Sequence, residues 1–126
     1  MTHGKAVQHE LREPSRALRR EIPAVYEGYA HLHAAAFAPG ALDGKTKELI
    51  ALSIAVTEQC DGCIASHARG AARQGASPGE VAEALGVAIA LTGGPGTVYG
   101  ARAFAAFQEF AEPSGDDQPM STPAQS

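Results

Sequence analysis

The only two cysteines of the chain, Cys60 and Cys63, stand in the run Cys60-Asp61-Gly62-Cys63. At that spacing two sulfurs lie on one side of a helical turn, near enough to close a short disulfide and reopen it if Cys60 sits at the non-helical entrance. Reversible dithiol chemistry is the natural reading. A structural disulfide is not, because the pair lies among polar residues and the first dozen residues lack the apolar stretch of a secretory signal. A thiol of ordinary pKa, about 8.5, is only slightly ionised at neutral pH, and helix N-termini and imidazolium neighbours lower that value to roughly 3.5–7.5. Both aids are in reach. A helix should start near Asp61 or Gly62, and His67 follows Cys63 by four residues, about 5–6 Å away between Cβ atoms on one face, where it can take the thiol proton. Glu48 begins the preceding helix, and whether its carboxylate meets His67 or a thiol depends on the bend at Cys60. The residues leave open which sulfur attacks: the helix entrance favours Cys60, and the nearness of His67 favours Cys63.

Other uses of these residues compete. A free cysteine is often a small buried hydrophobe. Two thiolates, an imidazole and a carboxylate also make a tetrahedral zinc set, although zinc sites usually draw on two separated ligand pairs and no second Cys or His cluster exists here. No metal or other cofactor is expected, adventitious zinc apart. His31 and His33 are two apart, cannot share a helix face, and receive no role. Tyr99 and the phenylalanines read as core or subunit contact. Lys45 and Lys47 read as solvated charge.

Helices must position the pair. From Ile22 to Phe37, the apolar residues Val25, Tyr29, Leu32, Ala36 and Phe37 recur at three- and four-residue steps, the mark of one buried face, and Pro39-Gly40 ends that helix. Asp43 can cap a second helix, apolar on nearly every side between Leu49 and Val56 and therefore central. The third carries Cys63, Ile64, His67, Ala68 and Ala71 and stops at Gly75, which suits a left-handed helix end. Ser77-Pro78-Gly79-Glu80 reads as a capping box opening a fourth helix through Leu91. Thr92-Gly93-Gly94-Pro95-Gly96 breaks the chain, and Val98, Ala101, Phe104, Phe107 and Phe110 line a fifth helix. No stretch alternates with period two, so the expected fold is all-α, a bundle of five to six helices.

The 126 residues suffice for one domain. Residues 1–14 read as a flexible lead, 15–112 as the helical domain, and 113–126 as a disordered tail of Pro, Ser, Gly, Asp and Gln. Tryptophan is absent, and so thin a core suggests burial between subunits. With a net charge of −4 and dispersed basic residues, nucleic acid is not an expected partner. No apolar run approaches the ~20 residues of a membrane span, and the expected location is the cytoplasm.

The pattern of Glu48, eleven residues, Cys60-Asp61-Gly62-Cys63, three residues and His67 resembles the active-site motif of the alkylhydroperoxidase D-like group within the carboxymuconolactone decarboxylase superfamily. The segments Leu42 to Ile50, Gly93-Gly94-Pro95 and Val98-Tyr99-Gly100 are also similar to short members, so the likeness spans roughly residues 15 to 111. It implies an all-helical fold, assembly as a homotrimer or homohexamer, and reduction of a hydroperoxide or other small electrophile. Carried over by residue, Cys63 attacks the peroxide, Cys60 resolves, and His67 with Glu48 relays protons. A lipoyl-bearing or thioredoxin-like partner would supply electrons. Gly62 departs from the pattern, since characterised peroxidases of the group carry a second histidine there. Decarboxylation of a lactone-like substrate, and a non-enzymatic redox sensor or binding role, are the alternatives.

Overall fold

The computed structural model describes residues 3–112, which form six helices: α1 (Lys5–Glu21), α2 (Pro23–Phe37), α3 (Gly44–Thr57), α4 (Asp61–Arg73), α5 (Pro78–Thr92) and α6 (Gly94–Ala111). No strand occurs among the described residues. The boundaries follow local chemistry. Asp43 accepts the Thr46 N–H at 2.8 Å and so caps α3. Ser77 and Glu80 exchange the two bonds of a capping box, with Pro78 as the first residue of α5. Gly75 and Gly93 supply the positive φ values, 78° and 71°, at the ends of α4 and α5.

The core is built by α3, α4, α5 and α6. Leu52 and Val56, Ile64, Val81 and Leu85, and Phe107 are its bulky members, and Ala68, Ala71 and Ala103 fill the narrow places between them. Full burial of Ala65, Ala68 and Ala71 on α4 lets neighbouring backbones approach closely, so a chain poor in large side chains still forms a packed centre. That centre fixes α3 against α4, the two helices that carry Glu48, Cys63 and His67.

Two expectations about the first third of the chain are corrected. Residues 5–14, read as part of a flexible lead, are the opening turns of α1, which runs on through Pro14 despite the backbone hydrogen bond that proline forgoes. Tertiary contacts stabilise it: the Gly4 N–H donates to Glu109 Oε2 at 3.1 Å, and the Leu11 side chain lies where a Cβ on Gly62 would stand, at 3.0 Å. The periodic face of α2, expected to be buried, has no buried residue at all. Val25, Tyr29 and Leu32 are 62, 63 and 67% exposed. Helical periodicity reports that a face is apolar; it does not report whether the same chain covers it. The C-terminal segment 113–126 lies outside the described residues.

Candidate active site

The pair is set by the way α3 ends. The Cys60 N–H donates to Ala55 O and the Gln59 N–H to Val56 O, both at 3.1 Å, the two bonds of a Schellman turn. Gln59 takes the left-handed position, φ 55°. The chain then enters Cys60 in an extended conformation, φ −104° and ψ 99°, as the N-cap of α4. Its Sγ accepts the Cys63 N–H at 3.2 Å. Cys60 and Cys63 are joined in a disulfide, their Cα atoms 5.2 Å apart, within the usual span for such a bond. Cys60 is half-buried and Cys63 exposed.

One turn further along α4, His67 Nδ1 lies 2.9 Å from Glu48 Oε2. The sequence left Glu48 two destinations; the carboxylate meets the imidazole. An ionised carboxylate only accepts, so in a bond to it Nδ1 is the donor and Nε2 is the ring nitrogen left for other partners. The two side chains are 16 and 14% exposed, sheltered enough for the bond to be stronger than a surface pair. All four sequence-derived residues thus fall on the α3–α4 unit, with Glu48, His67 and the sulfurs in order along it.

Several neighbours were not placed at the site by the sequence. His33 and Phe37 on α2 stack at 4.3 Å, and the Phe37 ring lies 5.3 Å from that of His67 with planes 6° apart. His33, given no role above, therefore shares a parallel ring cluster with His67, 6.1 Å away; His31 is exposed. The four-residue step from His33 to Phe37 was the available signal, but nothing local says which helix such a face will meet. Lys47, read as solvated, donates from Nζ to Ala36 O at 2.9 Å and to Ala38 O at 2.6 Å, tying down the end of α2. Lys45 is likewise engaged, 2.8 Å from Glu80. Gly70 on α4 packs directly under the Glu48 carboxylate.

A groove of about 630 Å3 runs along α2 beside the end of α1, lined by Arg19, Tyr26, Tyr29 and His33 among others. His33 joins it to the ring cluster, and neither cysteine lines it. Among the described residues, no group of three or more His, Cys, Asp or Glu side chains is arranged to hold a metal ion. None of the helices is long and apolar enough to cross a membrane among the same residues.

The model of the carboxymuconolactone decarboxylase family matches residues 23–106, from the first residue of α2 into α6 and across the whole Glu48–His67 unit. The chain belongs to the carboxymuconolactone decarboxylase family. An uncharacterised protein of Cupriavidus necator is 36% identical over 98 residues, 78% of this chain and 87% of that protein. Uncharacterised protein 4 in the cox locus of Paracoccus denitrificans is 37% identical over 66% of this chain and 75% of its own length. Among solved structures, a carboxymuconolactone decarboxylase family protein from Legionella pneumophila in its apo form superposes with a TM-score of 0.82 at 39% identity, covering 85% of this chain and 96% of that one. A Thermotoga maritima protein reaches 0.70 at 30% identity, covering 84 and 99%. Within the carboxymuconolactone decarboxylase family this chain is an alkylhydroperoxidase D-like member, and its joined CxxC pair is compatible with redox chemistry.

Proposed function

We propose that the chain is a thiol-dependent peroxidase that reduces organic hydroperoxides with Cys63 and Cys60, His67 and Glu48 handling the protons. The observation that carries this reading is the His67–Glu48 hydrogen bond one helical turn from Cys63, next to a pair already joined as a disulfide. In the reduced protein, His67 Nε2 takes the Cys63 proton, and Glu48 stabilises the imidazolium that results. The thiolate attacks the terminal peroxide oxygen, the O–O bond breaks, and His67 returns its proton to the departing alkoxide. Cys63 is now a sulfenic acid and the product an alcohol. Cys60 attacks that sulfur, the S–S bond forms and water leaves, before further oxidation can occur. In sum, two thiols and one hydroperoxide give a disulfide, an alcohol and water. A lipoyl or thioredoxin-like dithiol in the cytoplasm then reopens the disulfide by exchange. The exposure of Cys63 and the partial burial of Cys60 suit the first to meet substrate and the second to resolve. The working unit is a homotrimer or homohexamer, in which copies of the chain cover the bare face of α2.

The test is consumption of cumene hydroperoxide by reduced, metal-free protein with dihydrolipoamide or dithiothreitol as donor, followed by mass spectrometry. Turnover with loss of two hydrogens across Cys60 and Cys63 is expected. Cys63→Ser should abolish consumption, and Cys60→Ser should allow a single oxidation without closure. A disulfide that forms without turnover would make the protein a redox sensor, and thiols inert to peroxide would move the activity toward decarboxylation, which needs no dithiol.

A further inference from the structure

Apart from Ile64, the packed positions of α4 are alanines: Ala65, Ala68 and Ala71 are fully buried and Ala72 packs against the core. Gly70, half-buried beside them, is a glycine, the most costly residue of a helix interior after proline. Backbone conformation does not require it. The positive-φ glycines of the described residues are Gly75 and Gly93, and the left-handed end of α4 is served by Gly75. What is unusual at Gly70 is the space above it. A Cβ there would stand 2.6 Å from Glu48 Oε1 and closer still to Cδ and Oε2. The volume a methyl group would fill is occupied by the carboxylate that holds His67.

We infer that Gly70 is a positioning residue of the relay: its missing side chain is the seat of the Glu48 carboxylate. His67 and Gly70 are three residues apart and therefore neighbours on one helix face. A carboxylate arriving from α3 can lie over that face and reach Nδ1 only if the position beside it carries no Cβ. Gly62, by contrast, makes room for Leu11 of α1, and a Cβ there would meet neither Glu48 nor His67. An alanine at 70 leaves α4 helical and turns the three-torsion Glu48 side chain away from His67. The importance of this for chemistry rests on the peroxidase reading; the seat itself is a matter of geometry.

The experiment is Gly70→Ala, alone and combined with Glu48→Ala. In the disulfide form, ring 15N shifts of His67 should show the Nδ1–H tautomer in the wild type and its loss in Gly70→Ala, with the melting temperature unchanged or higher. In the reduced form, the pH profile of alkylation by iodoacetamide should move upward to that of Glu48→Ala. Adding Gly70→Ala to Glu48→Ala should change neither readout, because the seat is then empty. A wild-type tautomer in Gly70→Ala, or an equal effect in both backgrounds, would overturn the inference. Should Gly70→Ala fold poorly, removing the Glu48 side chain must restore its melting temperature; failure to do so overturns it as well. A wild-type alkylation profile in Glu48→Ala would instead sink the relay reading and leave the tautomer result to decide on the seat.

Discussion

Gln59 is the one non-glycine residue with positive φ among the described residues, and it stands immediately before Cys60. Left-handed backbone costs a residue with a Cβ roughly 1–2 kcal/mol, and the corresponding turn at the end of α4 uses Gly75 without that cost. Strain of this kind is retained where the surrounding structure needs the geometry, here the extended entry of Cys60. Gln59→Gly should therefore stabilise the protein by up to about 1 kcal/mol, reduced by the greater freedom of glycine in the unfolded chain. Thermal melting checks this, and a lower melting temperature would mean that the Gln59 side chain contributes more than its backbone costs. At this scale the sequence was legible where spacing along one helix decides, as for Cys60, Cys63 and His67. It passed over Gly70, gave Phe37 only a place on a buried helix face and gave His33 no role. Their neighbours come from other helices, and no local pattern states how closely α2 and α3 approach α4.

Helix starts were legible for the opposite reason, since a cap is complete within four residues; Asp43 and Ser77 needed no tertiary knowledge. The links between helices needed it, and Lys45 is the example: it joins the first turn of α3 to the first turn of α5 through Glu80. Its ammonium bond holds the Glu80 carboxyl below the ordinary range, helped by the Ser77 N–H. Glu80 in turn raises Lys45. The Asp43 carboxyl is lowered by its bonds to Thr46. A lowered carboxylate contributes stability above its unfolded pKa, about 3.9 for Asp and 4.3 for Glu, and loses it as pH falls through the folded value. A raised lysine contributes fully below about 10.4 and loses it as pH rises through its folded value. From these three groups the expected melting temperature is level between roughly pH 5 and 10, falls in acid below about pH 4, and declines again in strong base. Solvent screening keeps the effect small. Glu80→Gln should flatten part of the acid limb and remove the Lys45 contribution to the basic one, as read from melting curves across pH.

The molecule as a whole presents apolar surface that its described residues do not cover. Val25, Tyr29 and Leu32 on α2 and Ile50 and Ile54 on α3 are exposed, as are Val87, Leu91 and Val98 on α5 and α6. A thin core was legible from the scarcity of large side chains; the location of the missing burial was not, because periodicity marked α2 as buried without saying by what. Patches of this kind mark interaction surfaces. On the proposed assembly, Leu32→Glu should give single chains near 13.0 kDa by light scattering where the wild type gives an oligomer, and an oligomer of wild-type mass in that variant would place the interface elsewhere. α2 is fastened to the rest of the chain by Lys47 and by the rings beside His67, so an uncovered α2 bears on the relay as well as on the fold. In the proposed assembly the bare face also makes stability a property of the population. By mass action, association favours the folded chain in proportion to the logarithm of subunit concentration, so the proposed assembly predicts that dilution alone lowers the wild-type melting temperature and leaves that of Leu32→Glu constant across the same series.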